Sequence, residues 1–561
     1  MKMTGSRILL ESLKKEGVKT IFGYPGGVVL PLYDALFDSD IKHILTRHEQ
    51  GAVHAADGYS RSTGRVGVCL VTSGPGATNT VTGIATAYMD SIPLIILTGQ
   101  VPTALIGNDA FQEADIVGIT RPCTKYSYLV KDVNDLAKIV KEAFYIASTG
   151  SPGPVLIDLP KDVLVSEARF SYPESVHLRS YKPVYKGHIQ QIKKVAKAML
   201  DSQRPVLYVG GGTISSNASD ELRRLAHLTQ APITTTLMGM GAFPSDDPLS
   251  LGMCGMHGTF RANMAMQECD LLISLGARFD DRVTGNVSKF SPKSVKVHVN
   301  IDPTAIGKSI AIDLPVVGDV KHVLKDFIDL LKDEKRPWKK DLQPWHEQIE
   351  SWRSTFPLKY RQGEGAIKPQ YVVEKISEMT KGEAIIATDV GQHQMWSAQY
   401  LKFKKPRSFI TSGGLGTMGF GFPAALGAQA AFPGKMVVAI TGDGGFQMNS
   451  QELITAVQYN LPVKIAIINN HFLGMVRQWQ QLFFNKRYSY SCLASAPDFV
   501  KLAEAHGLLG LRAKKKADVE KILEIAFKTP KPVLMDFRVI PEENVYPMVP
   551  AGAALSEMLL A

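Results

Sequence analysis

Residues 442–470 read GDGGFQMNSQELITAVQYNLPVKIAIINN, and this stretch decides the fold. The preceding KMVVAI predicts a buried strand that delivers Asp443 to its carboxyl-terminal end. A glycine-rich turn follows, then a helix over about 449–459. A second apolar strand, VKIAII, ends at Asn469 and Asn470. The 27 residues from Asp443 to Asn470 leave room for one crossover helix, so the two strands can be parallel neighbours. A carboxylate, an amide oxygen and a nearby carbonyl are hard donors. They suit Mg²⁺, which keeps part of its octahedron for water and phosphate oxygens. Gly444 and Gly445 let backbone N–H groups approach an anion at the helix start. The unit reads as a Mg²⁺–diphosphate clamp, although GDG alone reads equally well as an ordinary crossover turn. It lacks the lysine-bearing phosphate loop of nucleotide triphosphatases.

The rest of the chain fits a large globular enzyme. It has 561 residues, 45% hydrophobic and 21% charged, which predicts three or four domains at about 150 residues each. Arg7, Glu11, Lys14 and Lys15 interrupt any early signal-like apolar run, and no stretch reaches membrane-span length. Cys69, Cys123, Cys254, Cys269 and Cys492 are scattered without a CxxC pair. They read as buried free thiols in a reducing compartment, so the expected location is cytoplasmic. The net charge of +10 is spread along the chain with no nucleic-acid module, and anionic cofactors and substrates account for it better.

Three α/β segments follow one another. Residues 1–165 carry TIFGYP, VGVCLVTSG, PLIILTG and GPVLIDLP as strands between helical stretches. A linker, SEARFSYPESVHLRSYKPVYKGH, leads to a second unit over 188–332 with PVLYVGGG, APITTT, LLISLGAR and VKVHVNID. Residues 333–368 read as a charged connector, and the third unit spans 369–545. The expected class is α/β, with three doubly wound parallel-sheet domains. There is no strict repeat, though the first and third units are candidates for a shared fold.

GDG followed about twenty-five residues later by NN resembles the signature of thiamine-diphosphate enzymes. That chemistry needs a carboxylate beside N1′ of the aminopyrimidine, to favour the imino tautomer whose 4′ nitrogen removes the C2 proton. RHEQGAVHAADGY places Glu49 after a short apolar strand, IKHIL, at the start of a small-residue helix. Read alone, Glu49 is a first-turn charge favoured by the helix dipole; the resemblance makes it the N1′ carboxylate. GYPGG, VTSGPGATN, DAFQEAD, DLPKDV, GMHG, GARFDDRVTG, TDVGQHQMW, GGLGTMGFG and NHFLGMVRQWQ extend the resemblance over nearly the whole chain. The set is similar to the catalytic large subunits of the acetohydroxyacid (acetolactate) synthases, with GARFDDRVTG and GMVRQW the most specific elements. The resemblance implies decarboxylation of pyruvate and transfer of its two-carbon unit. A second pyruvate gives 2-acetolactate and 2-ketobutyrate gives 2-aceto-2-hydroxybutyrate, the first common step towards valine, leucine and isoleucine.

The same resemblance assigns residues. Asp443, Asn470 and the Phe472 carbonyl are the Mg²⁺ ligands, and Gln392, His393, Gly444 and Gly445 meet the diphosphate. Val390, Met418 and Met475 are apolar contacts of thiamine diphosphate, and the Gly416 carbonyl meets its 4′-amino group. Arg282, last in FDDR, grips a 2-keto carboxylate, for which a guanidinium's paired donors are suited. An ion pair with Asp280 or Asp281 is the plainer reading of Arg282. Trp479 walls the acceptor pocket. Phe111, Gln112 and Lys161 match further active-site positions, although alone Phe111 reads as core and Lys161 as a solvated charge. The middle unit is expected to hold FAD as a largely structural group, through Gly210, Gly211, Gly212, Thr236, Leu237, His257, Gly276, Arg278, Ile301 and Asp319. Ser151 and Asn300 depart from the family pattern beside the flavin.

The family builds each site from two chains, so at least a homodimer is expected. A smaller regulatory subunit is a further expected partner; nucleic acid and membrane are not. A flavin oxidoreductase of the pyruvate-oxidase type and a non-catalytic nucleotide-binding module are the alternatives. The first would reduce an acceptor stoichiometrically, and the second would not need Glu49.

Overall fold

A computed structural model describes residues 2–332 and 341–560. Three six-stranded sheets, parallel throughout, follow one another along the chain. The first runs from Thr20–Gly23 to Pro154–Pro160, the second from Pro205–Val209 to Leu314–Val317, and the third from Ile385–Thr388 to Val533–Arg538. Their central strands, such as Gly67–Val71, Leu271–Leu275 and Val437–Gly442, are buried from end to end. Strands covered by helices on both faces read as continuous apolar runs, which is why these segments were visible in the sequence.

With strands numbered in chain order within each sheet, the first and third share the order 2-1-3-4-6-5. The middle sheet has the order 3-2-1-4-5-6. In open sheets of this kind a crevice opens at the carboxyl ends where the order reverses, and ligands bind there. In the outer sheets that point lies between strands one and three, and in the middle sheet between strands one and four.

Several expectations are corrected. The third unit's clamp segment has no loop after Gly442. A short helix, Asp443–Gln447, starts at once, and a second, Leu453–Gln458, follows a 3₁₀ turn at Ser450–Glu452. Part of the first linker is a strand: Glu167–Arg169 pairs antiparallel with Lys2–Thr4. Of the 333–368 connector, residues 333–340 lie outside the described residues. The remainder includes a helix, Gln343–Thr355, whose Trp345 and Ile349 are buried against the middle unit, with Trp345 Nε1 donating to the Pro205 carbonyl at 3.2 Å. Cys492 is exposed and Cys123 only half-buried; all five cysteines are free. Beyond residue 545 the chain returns to the middle unit, where Val549 N–H donates to the Met256 carbonyl at 2.8 Å.

The first and third units meet through two helices of small residues, Glu49–Thr63 and Gly421–Ala431. A methyl at Gly427 would lie 1.8 Å from the Ala55 carbonyl, and one at Gly58 2.0 Å from that of Ala424. The two backbones touch, and only glycine permits it.

Candidate active site

At the third sheet's crevice, strand Val437–Gly442 lies parallel to Lys464–Asn469 with Gly442 opposite Ile468. Asp443 and Asn470 therefore leave neighbouring strand ends together. Asp443 is buried, and its Oδ2 has no hydrogen-bond partner. Burial pushes its carboxyl up to about 7, with Asp536 raising it further and Arg538 opposing. Asn470 Oδ1 accepts the Phe472 N–H at 3.0 Å, which folds the Phe472 backbone back towards the strand end. A buried, unpartnered carboxylate oxygen beside an amide oxygen is costly without a ligand. This donor set fits Mg²⁺.

Across the reversal, strand Ile385–Thr388 delivers Asp389, Val390 and Gly391, and the helix Gln392–Tyr400 begins. Gln392 Nε2 donates to Gln478 Oε1 at 2.9 Å and to the Glu543 carbonyl at 3.0 Å, and its Oε1 faces Asn470 Nδ2 at 3.4 Å. His393 is buried, and desolvation lowers it to about 3, so it is a neutral imidazole. Its Nε2 has no partner, and its ring sits where a side chain at Gly391 or Gly442 would stand, 3.0 Å from either built Cβ. A Cβ at Gly444 would lie 2.7 Å from Leu473 Cδ2, with Met418 Cε 3.7 Å away. One at Gly416 would lie 3.9 Å from Val390. One at Gly474, beside Met475, would strike Gln392 Oε1 and Asn470 Nδ2. The structure thus gathers Val390, Gln392, His393, Gly416, Met418, Gly444, Met475, Asp443 and Asn470 around one crevice.

The sequence reading missed Asp389, the organiser of that crevice. It is fully buried, pushed up to about 6 by desolvation, and accepts N–H groups of Val390 at 2.8 Å, Gly419 at 3.0 Å and Gly421 at 3.1 Å. A Cβ at Gly445 would stand 2.4 Å from its carboxylate. Gly445 is required by this contact as well as by any anion.

Glu49 opens its helix as expected, beside the first sheet's crevice. It is half-buried, it accepts from Asn79 Nδ2 at 3.0 Å, and a Cβ at Gly76 would lie 3.4 Å from Oε1. Glu452, also missed, accepts the N–H groups of Arg47 and His48 at 2.9 and 3.1 Å and so fixes the start of the Glu49 helix from the third unit. Gln112 has a left-handed backbone, φ 59°, with its carbonyl against Gly74. Among the described residues no hydrogen bond joins Glu49 to the Asp443–Asn470 cluster. Phe111 is 88% exposed and Lys161 exposed. Arg282 lies in solvent, 3.9 Å from Asp281. Trp479 is half-buried on the helix Gly474–Phe483, its ring edge-on to Phe483 at 5.7 Å. Phe111, Lys161 and Arg282 are thus exposed on a single copy, while Trp479 sits on the helix that begins at Gly474 beside the crevice.

In the middle sheet, Gly210 and Gly212 follow the first strand and Gly276–Arg278 the fourth, at the reversal point. Built Cβ atoms at Gly210 and Gly212 would lie 2.3 Å from the Gly276 carbonyl and 2.8 Å from its Cα. These glycines let two turns cross, and a Cβ at Gly211 would lie 3.2 Å from that of Met238. His257 is buried, lowered to about 4 by desolvation, and its Nε2 is unpartnered. Thr236 and Leu237 begin a turn in which Thr236 Oγ1 accepts from Gly239 N–H at 3.0 Å. Asp319 caps the helix Val320–Leu331 and accepts from His322 at 2.9 Å. Asn300 donates to the Ala277 carbonyl at 3.2 Å and, through the segment holding Ile301, accepts the Asp302 N–H at 3.0 Å. Ser151 Oγ pairs with Ser91 Oγ at 3.3 Å. A crevice with an orphaned imidazole nitrogen suits a dinucleotide. One carboxylate oxygen of Asp319, Oδ1, is engaged by its cap.

Comparison with known proteins names the class these crevices define. Residues 3–119 match the thiamine pyrophosphate enzyme N-terminal TPP binding domain, 192–327 the central domain and 389–537 the C-terminal TPP binding domain. The chain is a thiamine-diphosphate-dependent enzyme. It is 51% identical to the acetolactate synthase large subunit of Buchnera aphidicola (subsp. Schizaphis graminum), over all of this chain and 98% of the relative. It is 49% identical to the acetolactate synthase isozyme 3 large subunit of Escherichia coli K12, over 100% and 99%. With the probable acetolactate synthase large subunit of Methanocaldococcus jannaschii it shares 51%, over 99% and 95%. The chain belongs to the acetolactate synthase large-subunit family. Among the described residues no helix is long and apolar enough to cross a membrane.

Proposed function

We propose that the chain decarboxylates pyruvate and joins the two-carbon unit to a second 2-keto acid, forming 2-acetolactate from pyruvate or 2-aceto-2-hydroxybutyrate from 2-ketobutyrate. The observation that carries this is the buried Asp443–Asn470 pair at neighbouring strand ends, flanking the strand-order reversal, in a chain of this family. When bound, thiamine diphosphate supplies a nucleophilic carbon and a sink for the electrons released with CO₂. Asp443, Asn470 and the Phe472 carbonyl would hold Mg²⁺, which would supply positive charge to the diphosphate at the strand ends. Gln392, the neutral His393 and the N–H groups of Gly444 and Gly445 take its remaining oxygens. Val390, Met418 and Met475 would hold its thiazolium and pyrimidine, and the Gly416 carbonyl would accept from its 4′-amino group. Glu49 holds the proton at N1′. Arg282 binds the acceptor carboxylate and Trp479 its alkyl chain, with Phe111, Gln112 and Lys161 completing the pocket. FAD occupies the middle crevice along Gly211, Gly212, Thr236, Leu237, His257, Gly276, Arg278, Ile301 and Asp319.

The site is shared between two chains. Phe111, Leu415, Met448, Phe484 and Tyr490 are large apolar side chains exposed on a single copy, and a second copy covering them would restore their burial. A small regulatory chain joins the assembly, as the relatives' "large subunit" names imply for those proteins. The free thiols are consistent with a cytoplasmic enzyme. The test is an assay with pyruvate alone and then with 2-ketobutyrate added, products identified, with and without FAD. Acetolactate without stoichiometric reduction of an electron acceptor is the expected result; an oxidative product refutes the reading. Glu49→Gln should keep cofactor affinity and lose most activity; C2-proton exchange at the wild-type rate would remove Glu49 from the relay.

A further inference from the structure

The segment Gly413–Gly419 carries Gly416 and Met418, and its two ends are tied to carboxylates. At its far end Asp389, of the same unit, takes the Gly419 N–H. At its near end the carboxylate comes from the first unit. Asp90 Oδ1 accepts the Gly414 N–H at 2.7 Å and Oδ2 the Gly413 N–H at 3.1 Å. The Asp90 side chain is fully buried, and Arg61 NH2 reaches its Oδ2 at 2.9 Å. Arg61 is itself buried, pairs with Asp57, and donates through NH1 to the Thr411 carbonyl at 2.8 Å, just ahead of the segment. Its guanidinium lies over the Phe420 ring at 5.1 Å, just after the segment. In the middle, Thr86 Oγ1 meets Thr417 Oγ1 at 2.7 Å. Side chains at Gly413 and Gly414 have no room: a Cβ at Gly414 would sit 2.9 Å from both Asp90 Oδ1 and the Met89 carbonyl.

Between these ties only Leu415 and Gly416 are exposed, and Gly416 has a left-handed φ of 69°. The Gly416–Thr417 peptide is fixed by Thr417 N–H donating to Ser412 Oγ at 3.0 Å, a bond held in place by the anchors on either side and by Thr86 on the Thr417 hydroxyl. Charge-assisted bonds to a buried carboxylate are the strong kind. This one is held by three donors from two units, so the base of the segment cannot move away from the first unit without breaking an inter-unit bond.

We propose that Asp90, backed by Arg61 and Thr86, is a positioning residue that aims the Gly416 carbonyl at the cofactor's 4′-amino group. The first unit then acts on the third unit of its own chain, besides presenting Glu49. The inference rests on the Gly416 reading given above.

The test is calorimetric titration of the full-length protein, with Mg²⁺ present, by thiamine diphosphate and by its 4′-desamino analogue. Wild type should bind the natural cofactor more tightly, because only that ligand has the amino donor. Asp90→Asn, nearly isosteric, should reduce this preference by about tenfold or abolish it, the size of one well-made hydrogen bond. Affinity for the desamino analogue should stay within about twofold, because the diphosphate clamp is untouched. A merely structural loosening would weaken both ligands alike. Thr86→Val removes one hydroxyl bond without burying an unpaired charge, so it folds even where the Asp90 variant does not; it should reduce the preference in the same direction. If wild type shows the preference and both variants keep it, the positioning role is overturned while the Gly416 reading stands. If wild type itself shows no preference, the Gly416 reading falls and the proposal falls with it.

Discussion

Asp158, within the strand Pro154–Pro160, has Thr98 Oγ1 2.7 Å from one carboxylate oxygen and Gln100 Nε2 3.0 Å from the other. Burial outweighs both bonds and pushes its carboxyl up from 3.8 to about 7. The folded chain keeps the proton until about pH 7, whereas the unfolded chain releases it near pH 4. Stability therefore falls as pH rises through that window, by about 4 kcal/mol in all. Asp158→Asn does not ionise. Its melting temperature relative to wild type should rise between pH 5 and pH 8, as read in paired thermal scans. A constant difference would show that Asp158 is already ionised at the lower pH. Trp479 works at the same scale. If its ring is the wall for the acceptor's extra methyl, Trp479→Leu should move the product ratio towards acetolactate when pyruvate and 2-ketobutyrate compete. One methylene is worth about 1–3 kcal/mol, so the shift should be about tenfold to about a hundredfold. An unchanged ratio over a range of 2-ketobutyrate concentrations would make Trp479 a packing residue only.

Among the elements, the crossing of Glu49–Thr63 with Gly421–Ala431 binds the first unit to the third. Gly427→Ala drives a methyl to 1.8 Å from the Ala55 carbonyl, which no side-chain rotation relieves because both parties are backbone. Overpacking of this kind costs about 1–3 kcal/mol and sometimes more. The variant should melt several degrees lower and lose activity, since one helix carries Glu49 and the other follows the Gly416 segment. A melting temperature within about a degree of wild type would show that the helices can part at little cost. The helix of Glu49 was legible because its start and its small residues are local. So were the long buried strands. The strands Ser250–Met253 and Leu314–Val317 were missed because they are short and carry a glycine or a proline, which argue against a strand. Asp443 was expected in a turn because two glycines follow it, and glycine is a poor helix former; the packing of Gly445 on Asp389 overrides that preference. Asp90 and Glu452 were illegible as site residues for another reason. Their partners lie more than 300 positions away in the chain, as Gly413 from Asp90 and Arg47 from Glu452. No local pattern encodes such a contact.

On the scale of the whole molecule, each candidate ligand crevice sits where its sheet reverses strand order, so the placement of function follows from topology. The parallel sheets could be read from apolar runs, but their order could not, because order depends on which crossover goes to which side. The first and third sheets turn out to share the order 2-1-3-4-6-5 while their motifs differ. One copy has kept an acid at its crevice and the other an oxygen cluster for a cation. If each site takes one half from each of two chains, as proposed, a chain damaged in one half can lend the other. Glu49→Gln and Asp443→Ala chains, each inactive alone, should therefore complement when mixed and reassembled. A paired assembly of one of each puts both lesions in one site and neither in the other. Random pairing leaves about a quarter of all sites intact, so activity should recover to about that fraction of wild type. Recovery no greater than the sum of the parents would mean that each chain completes its own site. The shared strand order would then record only ancestry, and the apolar side chains exposed on one copy would need another cover.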